Sequence, residues 1–410
     1  MARMTWFDGN QGAYGYLNIS NFDVQKATEG ALIATYNGRE GPQDDTQTPA
    51  RFKMILEEAT LSEDGNGDPY YSGGVIKKII WYNSAGDITH QATGLSLDLN
   101  LAWTFLFRDN DRGFRHMLFE QVDTFIGADD SMNEPDDWDG EDITTGQRDD
   151  TVLAMGGDDY IKDLGGSDHY DGGDGFDAVS YDEVFWNPHL GNMGIDADLR
   201  AGTVIGPDGN TDTLVSIEIL RGTHFDDVIR GDGGEYNSFR GLRGDDTING
   251  RGGIDEVRYD RDVRYGGTNG VEVDLKAGTA TDGFGDTDTL MNIERVRGSD
   301  YDDVLRDDAG DNRLRGNAGN DTLCASQGND ELQGGDGADV FQFKTKNFGS
   351  DVIWDFEIGT DKIEILAAKR FGQLTIEDDG NGNALVSFGE NTVHLDYISA
   401  DDLSRSDFLF

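Results

Sequence analysis

The sequence has a single cysteine, and it has no long apolar run. Cys324 is the only cysteine among 410 residues, which excludes an intramolecular disulfide, a CxxC redox pair and a cysteine zinc site. Nowhere do about 18 apolar residues run together, so no transmembrane segment is predicted. The opening MARMTWFDGNQGAYGYLNIS lacks the charged and apolar regions of a secretory signal. We therefore expect any export to proceed without a cleaved N-terminal signal peptide.

Positive charge is also scarce. Lys and Arg number 33 against 81 Asp and Glu, which gives a formal net charge of -48. Such an excess repels nucleic acid and anionic membrane surfaces, so cations are the expected partners. Because self-repulsion on this scale destabilises a compact state, the composition predicts folding coupled to a bound metal or to salt. A merely acidic, soluble surface is the alternative, and the spacing of the acids distinguishes the two.

The first part of the chain differs in character from the rest. Residues 1–125 hold most of the bulky apolar runs, such as RFKMILEEATL and GGVIKKIIWYN, separated by clusters of turn-forming residues. Short segments of alternating apolar and polar residues, separated by such turns, predict an N-terminal β-sandwich-like domain. Residues 126–145 are dense in acid and have no apolar period, which predicts an acidic linker.

Carboxylates, replaced by an asparagine amide at two positions, then recur at intervals of nine residues in three blocks. A glycine precedes most of them by two residues, and an apolar or aromatic residue follows each by two. One inserted residue interrupts the second block. The positions are Asp150, Asp159, Asp168 and Asp177 in residues 146–182, Asp227, Asn237, Asp246 and Asp255 in residues 222–260, and Asp303, Asn312, Asp321, Asp330 and Asp339 in residues 298–343.

The segments between the blocks also repeat. GFDAVSYDE recurs as GIDEVRYDR, GIDADLRAGTV as GVEVDLKAGTA, and TDTLVSIEILRG as TDTLMNIERVRG, in copies displaced by 76 to 78 residues. Repeats of fixed period indicate a solenoid, in which each unit buries its apolar side chain against its neighbours. We therefore predict one array over residues 146–343, with the blocks joined by two β connectors.

The nine-residue interval has a physical interpretation. Glycines permit the dihedrals of a tight turn, so about six residues form a turn and about three a short strand. Two such units make one coil, and turns two repeats apart stack at about 4.8 Å. Stacked carboxylates need a cation between them, and all-oxygen turns suit Ca²⁺ better than Mg²⁺ or Zn²⁺. A metal-free β-helix is disfavoured because uncompensated carboxylates oppose the fold.

These residues carry a family resemblance. GGDGADVFQ, with GNAGNDTLC and GGDGFDAVS, resembles the nonapeptide G-G-x-G-x-D-x-U-x of the RTX, or hemolysin-type calcium-binding, repeats. The resemblance implies an all-β chain whose array is a parallel β-roll. It also implies multiple Ca²⁺ ions, each lying between turns two repeats apart and held by two aspartates and by turn carbonyls.

The resemblance assigns candidate ligands to this chain. Two pairs, Asn237 with Asp255 and Asn312 with Asp330, have an amide in place of one carboxylate, which predicts weaker sites. The turn glycines assigned to the sites are Gly157, Gly172, Gly175, Gly319, Gly334 and Gly337. The carboxylate pairs are Asp150 with Asp168, Asp159 with Asp177, Asp227 with Asp246, Asp303 with Asp321, and Asp321 with Asp339.

The tail predicts a cap and an export signal. Residues 344–410 alternate apolar and polar residues around Gly and Asn turns, and DVIWDFEIGTDKIEI resembles the C-terminal β cap of secreted RTX proteins. The ending DDLSRSDFLF resembles the uncleaved signal of type I secretion. The resemblance implies the type I secretion machinery as a partner and an extracellular or cell-surface location.

No catalytic motif is recognisable. The six histidines are scattered, and neither H-E-x-x-H nor G-x-S-x-G occurs. We therefore expect a non-enzymatic surface, matrix or adhesive component, with self-assembly or an extracellular polysaccharide as its candidate partners. The alternative is a carbohydrate-active or other extracellular enzyme with its site in residues 1–125, for which the array is a secretion and stability module.

Overall fold

The computed structural model describes the chain from residue 22 onward with several gaps. The described ranges are 22–28, 31–36, 51–63, 69–82, 88–98, 124–126, 142–154, 156–234 and 236–410. Within them regular structure consists of strands and short 3₁₀ helices, with no α-helix. None of the helices in these ranges is long and apolar enough to cross a membrane. The all-β fold class predicted from the sequence is confirmed.

The chain divides into two compact units, the first comprising Met1–Ser180 and Asn210–Ile217 and the second comprising Tyr181–Gly209 and Glu218–Phe410. The first unit begins with an antiparallel meander in which each strand pairs with the next. Its strands are β1 (Phe22–Thr28), β2 (Ala31–Tyr36), β3 (Arg51–Glu63), β4 (Pro69–Tyr82), β5 (Ile88–Asp98) and β6 (Thr124–Ile126).

The described strands before residue 127 belong to one sheet, and the sandwich-like arrangement predicted for this domain stays a prediction. Each strand pairs with its neighbour in the chain, as consecutive strands usually do. The boundaries predicted for this domain and for the acidic linker stay predictions.

The rest of the first unit is a coil of short parallel strands. Successive strands alternate between two rows, β6–β8–β10–β14 and β7–β9–β11. The strands are β7 (Asp142–Thr144), β8 (Thr151–Leu153), β9 (Tyr160–Lys162), β10 (His169–Asp171), β11 (Ala178–Ser180) and β14 (Thr211–Val215).

The second unit contains the other two blocks. One row is β15–β17–β19–β23–β25–β27–β29–β33, and the facing strands form the rows β12–β16–β18–β22 and β20–β24–β26–β28–β30–β34. The strands up to the third block are β12 (Asp196–Asp198), β13 (Thr203–Ile205), β15 (Ile219–Arg221), β16 (Val228–Arg230), β17 (Ser238–Arg240), β18 (Thr247–Asn249), β19 (Glu256–Arg258), β20 (Glu272–Asp274), β21 (Thr279–Thr281), β22 (Thr287–Met291) and β23 (Arg295–Arg297).

The third block and the tail continue this coil. Residues beyond 343 add strands to both rows and end in the antiparallel hairpins β31–β32 and β32–β33. The strands are β24 (Val304–Arg306), β25 (Arg313–Ala318), β26 (Thr322–Ala325), β27 (Glu331–Asp336), β28 (Val340–Phe343), β29 (Ser350–Ile353), β30 (Lys362–Ile365), β31 (Thr375–Asp378), β32 (Ala384–Phe388), β33 (Asn391–Leu395) and β34 (Phe408–Leu409).

The core follows the sequence prediction closely. The apolar or aromatic residue two positions after each repeat carboxylate is at most 1% exposed in all three blocks. Leu305, Leu323 and Phe341 are in register across β24, β26 and β28, eighteen residues apart. Since each strand contributes one inward side chain, the coil is only one side chain deep on each row. The parallel β-roll in three blocks, predicted from the spacing and the resemblance, is confirmed.

Candidate metal centre

The repeat carboxylates are joined in ladders along the turns. In each predicted pair, the backbone N–H of the first member donates to Oδ1 of the second. The N···O distances are 2.7 Å for Asp150 to Asp168, 2.9 Å for Asp159 to Asp177, 2.8 Å for Asp227 to Asp246, 2.9 Å for Asn237 to Asp255, 2.8 Å for Asp303 to Asp321, 2.9 Å for Asn312 to Asp330 and 2.8 Å for Asp321 to Asp339. The structure therefore brings together every pair that the resemblance assigns.

A glycine two residues before the carboxylate allows the turns to stack. Gly319 and Gly337 have φ of 125° and 149°, which side-chain-bearing residues rarely adopt. A Cβ on Gly337 would stand 1.6 Å from the carbonyl oxygen of Gly319, and one on Gly175 would stand 1.9 Å from that of Gly157. Each turn thus lies directly on the carbonyl of the turn eighteen residues earlier.

A second glycine, five residues before the carboxylate, lies against the other carboxylate oxygen, Oδ2. A Cβ on Gly334 would lie 2.1 Å from Oδ2 of Asp339, and one on Gly172 would lie 2.3 Å from Oδ2 of Asp177. Any side chain at these positions would fill the space beside Oδ2. The glycine pattern therefore keeps a cradle open around one oxygen of each carboxylate.

Oδ2 is the atom of the turns that lacks a hydrogen-bond partner. Within the described residues, Oδ2 is buried and has no hydrogen-bond partner in Asp246, Asp255, Asp321, Asp330 and Asp339. The residues themselves are at most 1% exposed. A buried carboxylate oxygen without a partner is costly, so each of these atoms indicates a ligand.

The electrostatics of the turns agree with this conclusion. Burial raises the pKa of Asp321 to about 8, and the neighbouring charges of Asp303 and Asp339 contribute to the rise. Burial also raises the pKa of Asp330 to about 8 and that of Asp246 to about 10. The turns therefore disfavour ionised carboxylates unless a cation compensates them.

The donor set fits calcium. The cradles offer carboxylate oxygens and backbone carbonyl oxygens, and Ca²⁺ takes six to eight such ligands in flexible geometry. The residues that would hold it are the ladder aspartates with an unpartnered Oδ2, together with carbonyls of the glycine turns. When bound, the ion supplies the positive charge that lets facing carboxylates stay ionised at stacking distance.

The first aspartates of the second and third blocks have different surroundings. Oδ2 of Asp227 accepts the N–H of Thr223 at 2.7 Å, and its Oδ1 accepts the Thr223 hydroxyl at 3.0 Å. Ser299 makes the same two contacts with Asp303, both at 2.7 Å. Protein donors thus satisfy both oxygens of these two carboxylates, which the spacing alone does not reveal.

The two asparagines also behave alike. Oδ1 of Asn237 accepts from the N–H of Asp232 at 3.1 Å, and Nδ2 donates to the Glu218 carbonyl at 3.4 Å. In Asn312 the corresponding bonds go to Asp308 at 3.3 Å and to Glu294 at 3.2 Å. Because a carboxylate cannot donate to a carbonyl, the amide closes the start of each ladder with a hydrogen bond that aspartate could not make.

Four ladder aspartates escape the nine-residue spacing. Each continues a ladder by accepting the N–H of the last repeat carboxylate, and each has a buried apolar residue two positions later. The signal D-x-U, outside any glycine-rich turn, would have identified them. They are Asp212 below Asp168 at 2.9 Å, Asp288 below Asp246 at 3.1 Å, Asp351 below Asp330 at 2.9 Å and Asp361 below Asp339 at 3.0 Å.

Two solved structures are similar to parts of this chain. The extracellular lipase LipA of Serratia marcescens aligns over 47% of this chain and 40% of its own, with 21% identity and a TM-score of 0.20. The AlgE6R3 subunit of the Azotobacter vinelandii mannuronan C5-epimerase aligns over 27% of this chain and 79% of its own, with 27% identity and a TM-score of 0.17. This chain thus spans less than half the length of the lipase. No curated protein has significant sequence similarity to it.

A protein-family model matches the same segments that carry the ladders. The match comprises four copies of the RTX calcium-binding nonapeptide repeat, at residues 144–179, 236–259, 297–332 and 325–342. These segments include every paired aspartate except Asp227, together with the glycine cradles and the unpartnered oxygens described above. The chain therefore contains RTX calcium-binding nonapeptide repeats in each of its three blocks, as the resemblance predicted.

Proposed function

We propose that this protein is secreted, folds when calcium fills its repeats outside the cell, and serves there as a non-enzymatic surface, matrix or adhesive component that self-assembles. The observation that carries the proposal is the row of buried, unpartnered Oδ2 atoms along the ladders. In the low calcium of a cytosol the acidic repeats repel one another and stay unfolded. Sites with affinities of about 0.1–1 mM, typical of extracellular modules, fill outside.

Calcium titration of the chelated full-length protein tests the folding step. We expect far-ultraviolet circular dichroism to change from an unfolded to a β-rich spectrum as calcium reaches millimolar concentrations. Magnesium at the same concentration is the control, because it prefers tighter octahedral geometry and retains its waters. An unchanged spectrum on adding calcium would contradict the proposal.

The export route is proposed from the sequence of the tail. In the folded chain, Phe408 is 2% exposed and β34 pairs with β30, so Phe408 packs on the coil. A type I exporter that reads this segment would therefore have to engage it before the coil forms. The test is secretion through a type I system of the full chain and of a chain with Phe408→Asp, with cytosolic retention of the wild type as the contrary outcome.

Electron microscopy with calcium and with chelator tests the non-enzymatic role. Ordered assemblies seen only with calcium support a structural component. Monodisperse particles in both conditions, together with turnover of members of a polysaccharide panel, would instead favour an enzyme with its site in residues 1–125. Both measurements use the full chain, so they separate the role of the repeats from that of the first domain.

A further inference from the structure

An open cavity lies along the turns of the second block, in the second unit. Its volume is about 510 Å³, which is within the range of small-molecule sites in proteins. Its walls come from the loop before β12, the turn before β16, the turn between β17 and β18, and the turn between β21 and β22. Among the described residues that line the cavity, none is a ladder carboxylate. The cavity is therefore separate from the calcium cradles.

Aromatic rings form one side of the cavity. The rings of His224 and Phe225, which both line it, stack with their centroids 4.0 Å apart and their planes at 34°. Phe185 meets His224 edge-on at 5.6 Å, and Trp186 meets Phe185 at 4.7 Å. A row of rings thus leads from the cavity to Trp186, which is 58% exposed. Such rings offer apolar faces on which a flat, ring-shaped part of a ligand can stack.

The polar side chains of the cavity are three carboxylates and one guanidinium. Asp226 and Asp245 are exposed, and their Oδ1 atoms accept the N–H groups of Asp245 at 3.0 Å and of Thr287 at 2.8 Å. Asp286 forms an ion pair with Arg243 at 3.6 Å, and these side chains are 36% and 59% exposed. The cavity thus presents hydrogen-bond acceptors held in place by the backbone, together with one charged donor.

The charge of the lining restricts the class of ligand. Burial lowers the pKa of His224, and the charge of Arg243 lowers it further, so the ring is neutral at pH 7 and the lining is net negative. With a formal net charge of -48 on the whole chain, an anionic ligand is repelled. A bare cation would use neither the rings nor Arg243. A neutral saccharide fits both parts of the cavity, because its hydroxyls donate to carboxylates and its C–H face stacks on rings.

The second connector and the third block contain the same turns without this set of side chains. The N–H of Asn320 donates to Oδ1 of Asp302 at 2.6 Å, just as that of Asp245 donates to Oδ1 of Asp226. The equivalents of Met193, His224 and Arg243, which all line the cavity, are Asn269, Asp300 and Ala318. The turn fold therefore does not require these three side chains, and their presence in one copy indicates a ligand.

We propose that this cavity binds a neutral sugar unit of an extracellular glycan. Phe225 is the stacking ring, Asp226 and Asp245 accept hydrogen bonds from sugar hydroxyls, and the guanidinium of Arg243 donates to a sugar oxygen. The exposed ring of Trp186 is a second stacking surface for the next sugar of the chain. This inference rests on the proposed function, because it supplies the contact by which an extracellular adhesive component attaches. Since turns of the second block form the walls, binding requires that these repeats are folded.

Isothermal titration calorimetry of the full-length protein in millimolar calcium tests the site. The probes are neutral hexasaccharides of glucose, galactose, mannose and N-acetylglucosamine, and the matched anionic probe is a hexasaccharide of galacturonate. We expect a neutral probe to bind and the anionic probe not to bind. Phe225→Ala and Arg243→Ala should each weaken binding of the neutral probe by about tenfold or more, through loss of the stacking ring and of the charged donor. Phe225→Tyr keeps a ring, as at the equivalent position 301, and should keep the affinity.

The matched control is Arg200→Ala. Arg200 is an exposed arginine of the first connector and does not line the cavity, so this variant should bind as the wild type does. Circular dichroism in calcium verifies that each variant has the β-rich spectrum. If Phe225→Ala lacks it, Arg243→Ala decides, because alanine already stands at the equivalent position 318 of the other copy.

The outcomes separate this site from the proposed function. If no neutral probe binds to protein with the β-rich spectrum, the saccharide site is refuted and calcium-dependent folding stands. Equal affinity of the wild type and the folded test variants, or a preference for the anionic probe, also refutes the site. If a neutral probe binds equally well in chelator and the test variants weaken it, the site stands and calcium-dependent folding fails.

Discussion

The backbone N–H of Asp321 donates to Oδ1 of Asp339 at 2.8 Å, while Oδ2 of each residue is buried without a hydrogen bond in the described structure. Asp321 also receives the N–H of Asp303, so it belongs to two successive pairs of one ladder. Oδ1 of each carboxylate therefore fixes the stacking of turns, and Oδ2 is left for the cation. The two oxygens of one carboxylate thus have different roles, and substitutions can test each role separately.

Replacing Asp321 with asparagine separates the stacking role of Oδ1 from the metal-binding role of Oδ2. The amide of Asp321→Asn can keep the bond from Asp303 through its oxygen but lacks the second anionic oxygen. We expect the calcium midpoint of folding to rise by about tenfold to one hundredfold, which corresponds to ~1.5–3 kcal/mol for losing a charged partner. Titration followed by circular dichroism measures the midpoint. Asp336→Asn, an exposed charge in the same block, is the control and should leave the midpoint nearly unchanged.

The cradle glycines should not tolerate even a methyl group. In Gly334→Ala the new Cβ would stand 2.1 Å from Oδ2 and 2.8 Å from Cγ of Asp339, a carboxylate that the ladder holds in place. We expect a loss of about 1–3 kcal/mol, the usual cost of overpacking, in urea unfolding at saturating calcium. Gly252→Ala is the matched control, because nothing lies within 4 Å of its Cβ. Equal stability of the two variants would argue against a cradle.

Most of the ladder could be predicted from the sequence, since a period of nine with one inward apolar residue fixes which carboxylates stack. The start and end of each ladder could not. Thr223 and Ser299 lie four residues before an aspartate, and their contacts depend on how the turn folds back. The continuing aspartates Asp212 and Asp288 lie 44 and 42 residues after their partners, because a hairpin-bearing connector intervenes and breaks the period.

The pH dependence of stability should disappear when calcium is added. Without metal, the folded pKa values of Asp321 and Asp330 are about 8, above the ordinary 3.8. Protonation therefore favours the metal-free fold, and this contribution is present below the unfolded pKa and is lost as pH rises through about 8. With calcium bound, the carboxylates are ionised in both the folded and the unfolded state above about pH 5, so stability should be nearly independent of pH over the same window. Thermal unfolding between about pH 5 and pH 8.5, with and without calcium, measures both slopes. Equal slopes of stability against pH with and without calcium would contradict this prediction.

The hydroxyls of Thr223 and Ser299, which bind the first aspartates of the second and third blocks, should stabilise the fold without a metal ion. The Thr223 hydroxyl donates to Asp227 at 3.0 Å and accepts the N–H of Phe225 at 3.0 Å, so Thr223→Val leaves a buried donor and a carboxylate oxygen short of a partner. We expect a loss of about 1–3 kcal/mol in stability, whereas the number of bound calcium ions stays the same. Thr247→Val is the control, since the Thr247 hydroxyl makes no hydrogen bond to any described residue. Both oxygens of Asp227 already have protein donors. A lower number of bound calcium ions in Thr223→Val would therefore contradict this prediction, because it would mean that the turn of Asp227 binds calcium.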